Sequence, residues 1–168
     1  EITDRMSGDF LFDMITLRFD SMLACVEKIG NITVHRVGPS KKKPTAQDMV
    51  QFPLYLVKVL YPVFAFFKAI SLHRKNHYDG MWVMMAYAGF PVVFFRLLYL
   101  HIPYLLTLQE GDSIAHMTGR WRIRAVYPFF KSIFSHARLI QTISTYLADY
   151  ARSMGAKAPI HVVPNGVN

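Results

Sequence analysis

Short apolar runs alternate with longer amphipathic ones along this chain, and the spacing predicts strands and helices in turn. Residues 12–19, FDMITLRF, have strand length, and Ile32 to Val37 alternate apolar and polar as a half-buried strand does. Gly30-Asn31 makes a turn between them, and GPSKKKPTAQ at 38–47 reads as an exposed loop. Asp48 to His73 is long, apolar and helical in character, with Pro53 near its start and a kink expected at Pro62. The methionine-rich MWVMMAYAG at 81–89 is strand-like, and Pro91 opens a helix through VVFFRLLYL. His101-Ile102-Pro103 breaks that helix, Tyr104 to Leu108 is a buried strand, and QEGDS at 109–113 is its polar loop. A basic amphipathic helix follows over 119–134, kinked at Pro128, and then a strand from Arg138 to Ile143.

The last helix is the most legible. Ser144 is placed as its N-cap, Leu147, Tyr150, Ala151 and Met154 share one face, and Gly155 closes it. Pro159 then starts a short buried strand, which ends at Pro164 with Asn165-Gly166 in a tight turn. A compact unit rarely ends on its own interior strand. Strand and helix in repeated alternation imply an α/β fold: a Rossmann-like, mostly parallel sheet with helices on both faces. In such a sheet ligands gather at the carboxyl ends of the strands, so the loops there are the places to look.

Composition adds two constraints. Of 168 residues, 52% are hydrophobic and 18% charged, which excludes general disorder and leaves either a large core or a greasy surface. The net charge of +8 points to anionic company: phosphate esters, nucleic acid or an acidic lipid surface. The stretches 49–72 and 81–108 are apolar enough to raise a membrane span, but they contain Lys58, Lys68, Arg96 and several prolines. Peripheral association with an anionic membrane fits better, alongside the plainer reading of core helices. Cys25 is the single cysteine, so no internal disulfide is possible, which fits a reducing compartment.

Candidate chemistry concentrates after the strand that ends at Leu108. Glu110 and Asp112 stand where a parallel sheet exposes its ligand site; they can accept from hydroxyls of a polar ligand, serve as a base, or cap the next helix. Arg120, Arg122 and Arg124 cannot share one helical face, so they read as basic surface rather than a phosphate clamp, and no nucleic-acid motif is clear. His73 and His77 have i, i+4 spacing without a third ligand, so no metal is expected. The sequence contains no G-x-S-x-G, Walker loop or G-x-G-x-x-G, which removes the usual support for hydrolase, P-loop and dinucleotide readings.

Four pieces in order carry a resemblance: YDGMW (Tyr78 to Trp82), TLQEGD (Thr107 to Asp112), IQTISTYLADYARSMG (Ile140 to Gly155) and VVPNGVN (Val162 to Asn168). Together they resemble the amino-terminal half of a family 4 glycosyltransferase with the GT-B fold, from about residue 30 onward. The resemblance implies two Rossmann-like domains facing a cleft, the first mainly holding the acceptor and the second binding a nucleotide sugar. It implies transfer with retention of configuration and no metal or other cofactor. The substrate-binding candidates are then Gln109, Glu110, Gly111, Asp112 and Ser144, with Gln109 and Glu110 the catalytic candidates. Pro164, Asn165, Gly166 and Val167 form the turn where the chain crosses between domains.

The chain departs from the family pattern at two points. Gln109 stands where many members have a histidine that contacts the transferred sugar or its surroundings, and glutamine cannot exchange protons near neutral pH. Glu110 beside it is a candidate to compensate. Asn168 replaces the usual aspartate after PNGV. The expected unit is a single incomplete amino-terminal domain over 1–168: Glu1-Ile2-Thr3 reads as the tail of a strand, with the family's first strand before it and the donor-binding domain after Asn168. The expected partners are a nucleotide-sugar donor held by that other domain, a lipid or saccharide acceptor, and an anionic membrane, but no nucleic acid. The expected location is the cytoplasm, at the inner face of the membrane. The alternative is a non-catalytic Rossmann-like module that docks on a partner or a membrane.

Overall fold

The computed structural model describes residues 2–6, 8–110 and 125–166. The chain divides into two compact units, Glu1–Lys75 and Asn76–Asn168. In the first, the four-residue helix α1 (Ile2–Arg5) precedes β1 (Phe12–Leu17), β2 (Val26–Ile29) and β3 (Ile32–Val37). The strand tail expected at Glu1-Ile2-Thr3 is therefore a helical turn at Ile2 and Thr3. The three-stranded sheet runs β1-β3-β2, with β1 parallel to β3 and β2 antiparallel across the Gly30-Asn31 turn. Strand β2 was not foreseen: VEKI is exposed at every position, so no burial pattern marks it.

The long helix α2 (Leu54–Asn76) continues through Pro62 as one element. Its buried side chains Leu54, Val57, Ala65 and Leu72 lie on one face, and the Tyr61 hydroxyl on that face donates to the Ile15 carbonyl of β1 at 2.9 Å. The helix ends at Asn76, and His77 has a left-handed φ of 53°. The i, i+4 pair His73 and His77 is thus not carried on one helix.

The second unit has β4 (Met81–Met84), α3 (Phe90–Leu98), β5 (Tyr104–Leu108), α4 (Tyr127–Ser135), β6 (Leu139–Thr142), α5 (Thr145–Ser153) and β7 (Ile160–Val162). Its sheet is wholly parallel in the order β4-β5-β6-β7, as strand–helix–strand alternation demands. Val83, Leu106, Ile140 and Ile160 form one register row facing the helices. Phe130, Ile133 and Phe134 of α4 are fully buried in the same core with Leu147, Tyr150 and Ala151 of α5. Phe130 meets Phe134, and Phe134 meets Tyr150, in edge-to-face contacts at 5.6 and 5.4 Å. The Tyr104 hydroxyl, buried in this layer, donates to the Ile133 carbonyl at 2.6 Å and pins α4 to β5.

Several boundaries differ from the sequence reading. MWVMMAYAG is strand only to Met84; Met85 takes a φ of 70° and Ala86–Gly89 coil into a 3-10 turn leading into α3. Pro128 stands in the first turn of α4, where its missing N–H costs nothing, and residues 119–124 of the expected basic helix lie outside the described residues. Strand β7 lies at the sheet edge with His161 and Val162 exposed, so it is not buried in this chain. Helix α5 follows expectation closely. Ser144 Oγ accepts from Leu147 N, and Gly155 has φ +83°. Paired bonds from Ala156 N to Ala151 O and from Gly155 N to Arg152 O close its end.

Gly89 is required by close approach. A Cβ there would run into the Ile133 side chain of α4. Gly89→Ala should cost about 1–3 kcal/mol through overpacking and lower the Tm by several degrees. In an Ile133→Ala background the same substitution should cost markedly less, and an equal cost in both backgrounds would place the strain elsewhere.

Candidate functional site

The parallel register brings four strand ends to one edge. After β4 comes Met85-Ala86, after β5 Gln109-Glu110, after β6 Ile143-Ser144, and after β7 Val163 to Gly166. Backbone bonds hold the first residues of these loops in line: Met85 N donates to Thr107 O, Ile143 N to Leu108 O and Val163 N to Thr142 O. Three of the expected residues, Gln109, Glu110 and Ser144, therefore share this edge. Gly111 and Asp112 lie outside the described residues, as do Arg120, Trp121, Arg122, Arg124, Val167 and Asn168.

Glu110 continues the side of β5 that carries Leu106 and Leu108 into the core. Its Oε1 accepts from Ala86 N at 2.5 Å, tying the loop after β4 to the end of β5. Oε2 is buried and has no hydrogen-bond partner among the described residues. Burial raises the carboxyl pKa above its ordinary value, opposed by the backbone N–H groups of Ala86, Glu110 and Gln109. Tyr150 is affected in turn: burial raises its pKa first, then the negative charge of Glu110, then neighbouring Tyr87 and Tyr127.

By strand alternation Gln109 falls on the other side, with Thr107. Here Trp82 Nε1 donates to Thr107 Oγ1 at 2.8 Å, and that hydroxyl donates to Gln141 Oε1 at 3.5 Å. The polar chain links β4, β5 and β6 just below the strand ends. The two adjacent candidates thus serve opposite faces, Glu110 bonded inward and Gln109 half-buried at the rim. Ser144 is occupied as the cap of α5, and its backbone carbonyl accepts from Thr142 Oγ1. Pro164, Asn165 and Gly166 are exposed, and neither Asn165 nor Gly166 takes a left-handed φ; Val167, the last residue of the expected turn, lies outside the described residues. Among the described residues no three His, Cys, Asp or Glu side chains converge as a metal set.

Sequence reasoning missed Trp82, Ala86, Gln141 and Tyr150 as neighbours of this edge. Trp82 lies in the YDGMW strand, but only the register shows that it meets a threonine 25 positions away.

The architecture and the order of motifs lead to the family. The model of the glycosyl transferase 4-like domain matches residues 15–166. The chain belongs to this family. This glycosyltransferase domain also shares its fold with two structures of sucrose-phosphate synthase from Thermosynechococcus elongatus. One aligns with a TM-score of 0.69 at 17% identity over 99% of this chain and 82% of that chain. The other aligns at 0.67 and 18% identity over 98% of this chain, which spans 40% of that chain's length. A comparison with curated protein sequences gives no match. The glycosyltransferase domain is thus one Rossmann-like half of a GT-B fold.

The Ala86 bond sets what Glu110 substitutions should do. Glu110→Ala leaves that N–H without its acceptor and should cost about 1–3 kcal/mol. Glu110→Gln keeps an acceptor and should match or exceed the wild-type Tm at neutral pH. Because burial raises the folded-state pKa, folded stability falls as pH rises from the ordinary carboxylate range through the raised value. Glu110→Gln should flatten Tm against pH across that window. An unchanged Tm in Glu110→Ala, with a loss of transfer alone, would assign the carboxylate to a ligand instead.

Proposed function

We propose that this domain is the acceptor side of a retaining glycosyltransferase that moves a sugar from a nucleotide sugar to a lipid or saccharide acceptor. One observation carries the reading: Gln109 and Glu110 sit at the carboxyl end of β5, which has parallel partners on both edges, with the loop after β4 fixed beside them. In open α/β sheets this is where ligands gather. Gln109 offers a carbonyl and an amide to sugar or acceptor hydroxyls, a positioning role that needs no proton transfer. Glu110 acts through the backbone it holds, keeping Ala86 and the strand ends in register. Gly111 and Asp112 remain acceptor-binding candidates in this reading.

The donor belongs to a second, carboxy-terminal domain reached through Pro164 to Val167. Its basic groups and a helix amino end would meet the charge on the departing diphosphate, without a metal. In this reading the reaction runs in the cytoplasm, at the inner face of the membrane, where the chain's net charge of +8 would meet anionic lipid.

The test uses the intact protein and a panel of nucleotide sugars, with product configuration read by NMR. Transfer with the anomeric configuration kept is expected. Gln109→Ala should lower kcat/KM roughly tenfold or more, equivalent to about 1–2 kcal/mol of transition-state binding, with Tm unchanged. Absence of both nucleotide-sugar binding and transfer by a folded intact protein would replace this reading with that of a non-catalytic binding module.

A further inference from the structure

Helix α2 carries a second apolar face that its own unit does not bury. Leu56, Val59, Leu60, Val63 and Phe67 recur at i, i+3, i+4, i+7 and i+11, and each is between 40% and 64% exposed. They form a stripe roughly 16 Å long at about 1.5 Å per residue. The opposite face is the one buried, and it is tied to β1 through the Tyr61 hydroxyl. Phe52, 81% exposed, extends the apolar surface at the start of the helix. Beside it an open groove of about 440 Å³ separates the first turns of α2 from Pro39, Ser40 and Lys41.

Cations border the stripe at both ends. Lys41 lines the groove and Lys42 and Lys43, next to it in the chain, are exposed, while exposed Arg74 and Lys75 close the helix. From Arg36 to Lys75 there are eight lysines and arginines and one acid, Asp48. That acid is itself held by Lys41 at 2.6 Å, and the bond, with those from Thr45, lowers its pKa to about 2. An apolar stripe flanked by lysines is a poor protein interface, because lysine is depleted there. It is the composition of a helix lying in a lipid headgroup layer.

We propose that this face of α2, with Lys41 to Lys43 and Arg74-Lys75, docks the domain on the surface of an anionic lipid bilayer. The stripe enters the boundary between headgroups and acyl chains, and the flanking cations meet lipid phosphates. Although α2 is long and apolar enough to cross a membrane, its other face is fastened to the sheet, so it lies along the surface. The inference deepens the membrane placement proposed above and rests on it. It is measured without turnover, so its failure and the failure of the transferase reading are separable.

The test is sedimentation of the full chain with vesicles of phosphatidylcholine alone or mixed with phosphatidylglycerol. Binding to the mixed vesicles only, weakened by high salt, is expected. Leu60→Ser with Phe67→Ser, and separately Lys42→Glu with Lys43→Glu, should each reduce binding about tenfold or more with an unchanged circular dichroism spectrum. Equal binding to both vesicle types, or wild-type binding by the stripe variant, overturns the proposal. So does a dimer without vesicles that the stripe variant abolishes, which would give the face to a second copy.

Discussion

The second unit depends on the burial of β5. Leu106 and Leu108 are fully buried, both edges of the strand are paired in parallel, and Tyr104 anchors α4 by its hydroxyl. A parallel strand cannot shift by one residue without turning its apolar set to the wrong face. The register of β4 and β6 is therefore fixed against it, and so is the position at which each strand stops. The geometry of the site follows from that edge, because Met85, Gln109 and Ile143 are placed there by backbone bonds or strand ends.

At this edge two adjacent residues with similar side chains have become chemically different. The pleat sends Glu110 toward the core, where desolvation raises its pKa and a backbone N–H takes one oxygen. Gln109 is left at the rim above the Trp82–Thr107–Gln141 chain. A glutamine is well suited to hold a hydroxyl in place and poorly suited to move its proton. Under the proposed acceptor-side reading, with charge on the leaving group stabilised from a second domain, a side that positions without titrating is a coherent division of labour.

Legibility followed from how local each signal is. Helix α5 could be read residue by residue because its cap, its buried stripe and its closing Gly155 all lie within a dozen positions. Strand β5 was equally clear, a five-residue apolar run after Pro103. The 3-10 turn at Ala86–Gly89 was hidden inside a continuous apolar run with no polar punctuation. Strand β2 was hidden because an exposed edge leaves no hydrophobic pattern. The bond from Ala86 to Glu110 spans 24 positions and exists only through strand register, which no local pattern encodes.

The central claim is that this half holds the acceptor at the β5 edge while another domain holds the donor. A crystal structure of the intact protein with a nucleotide sugar and its acceptor tests that most directly. The account predicts an acceptor or sugar hydroxyl within hydrogen-bond distance of Gln109, and a nucleotide held by residues outside 1–168. A nucleotide seated on the strand ends of this half, with the acceptor elsewhere, would contradict it.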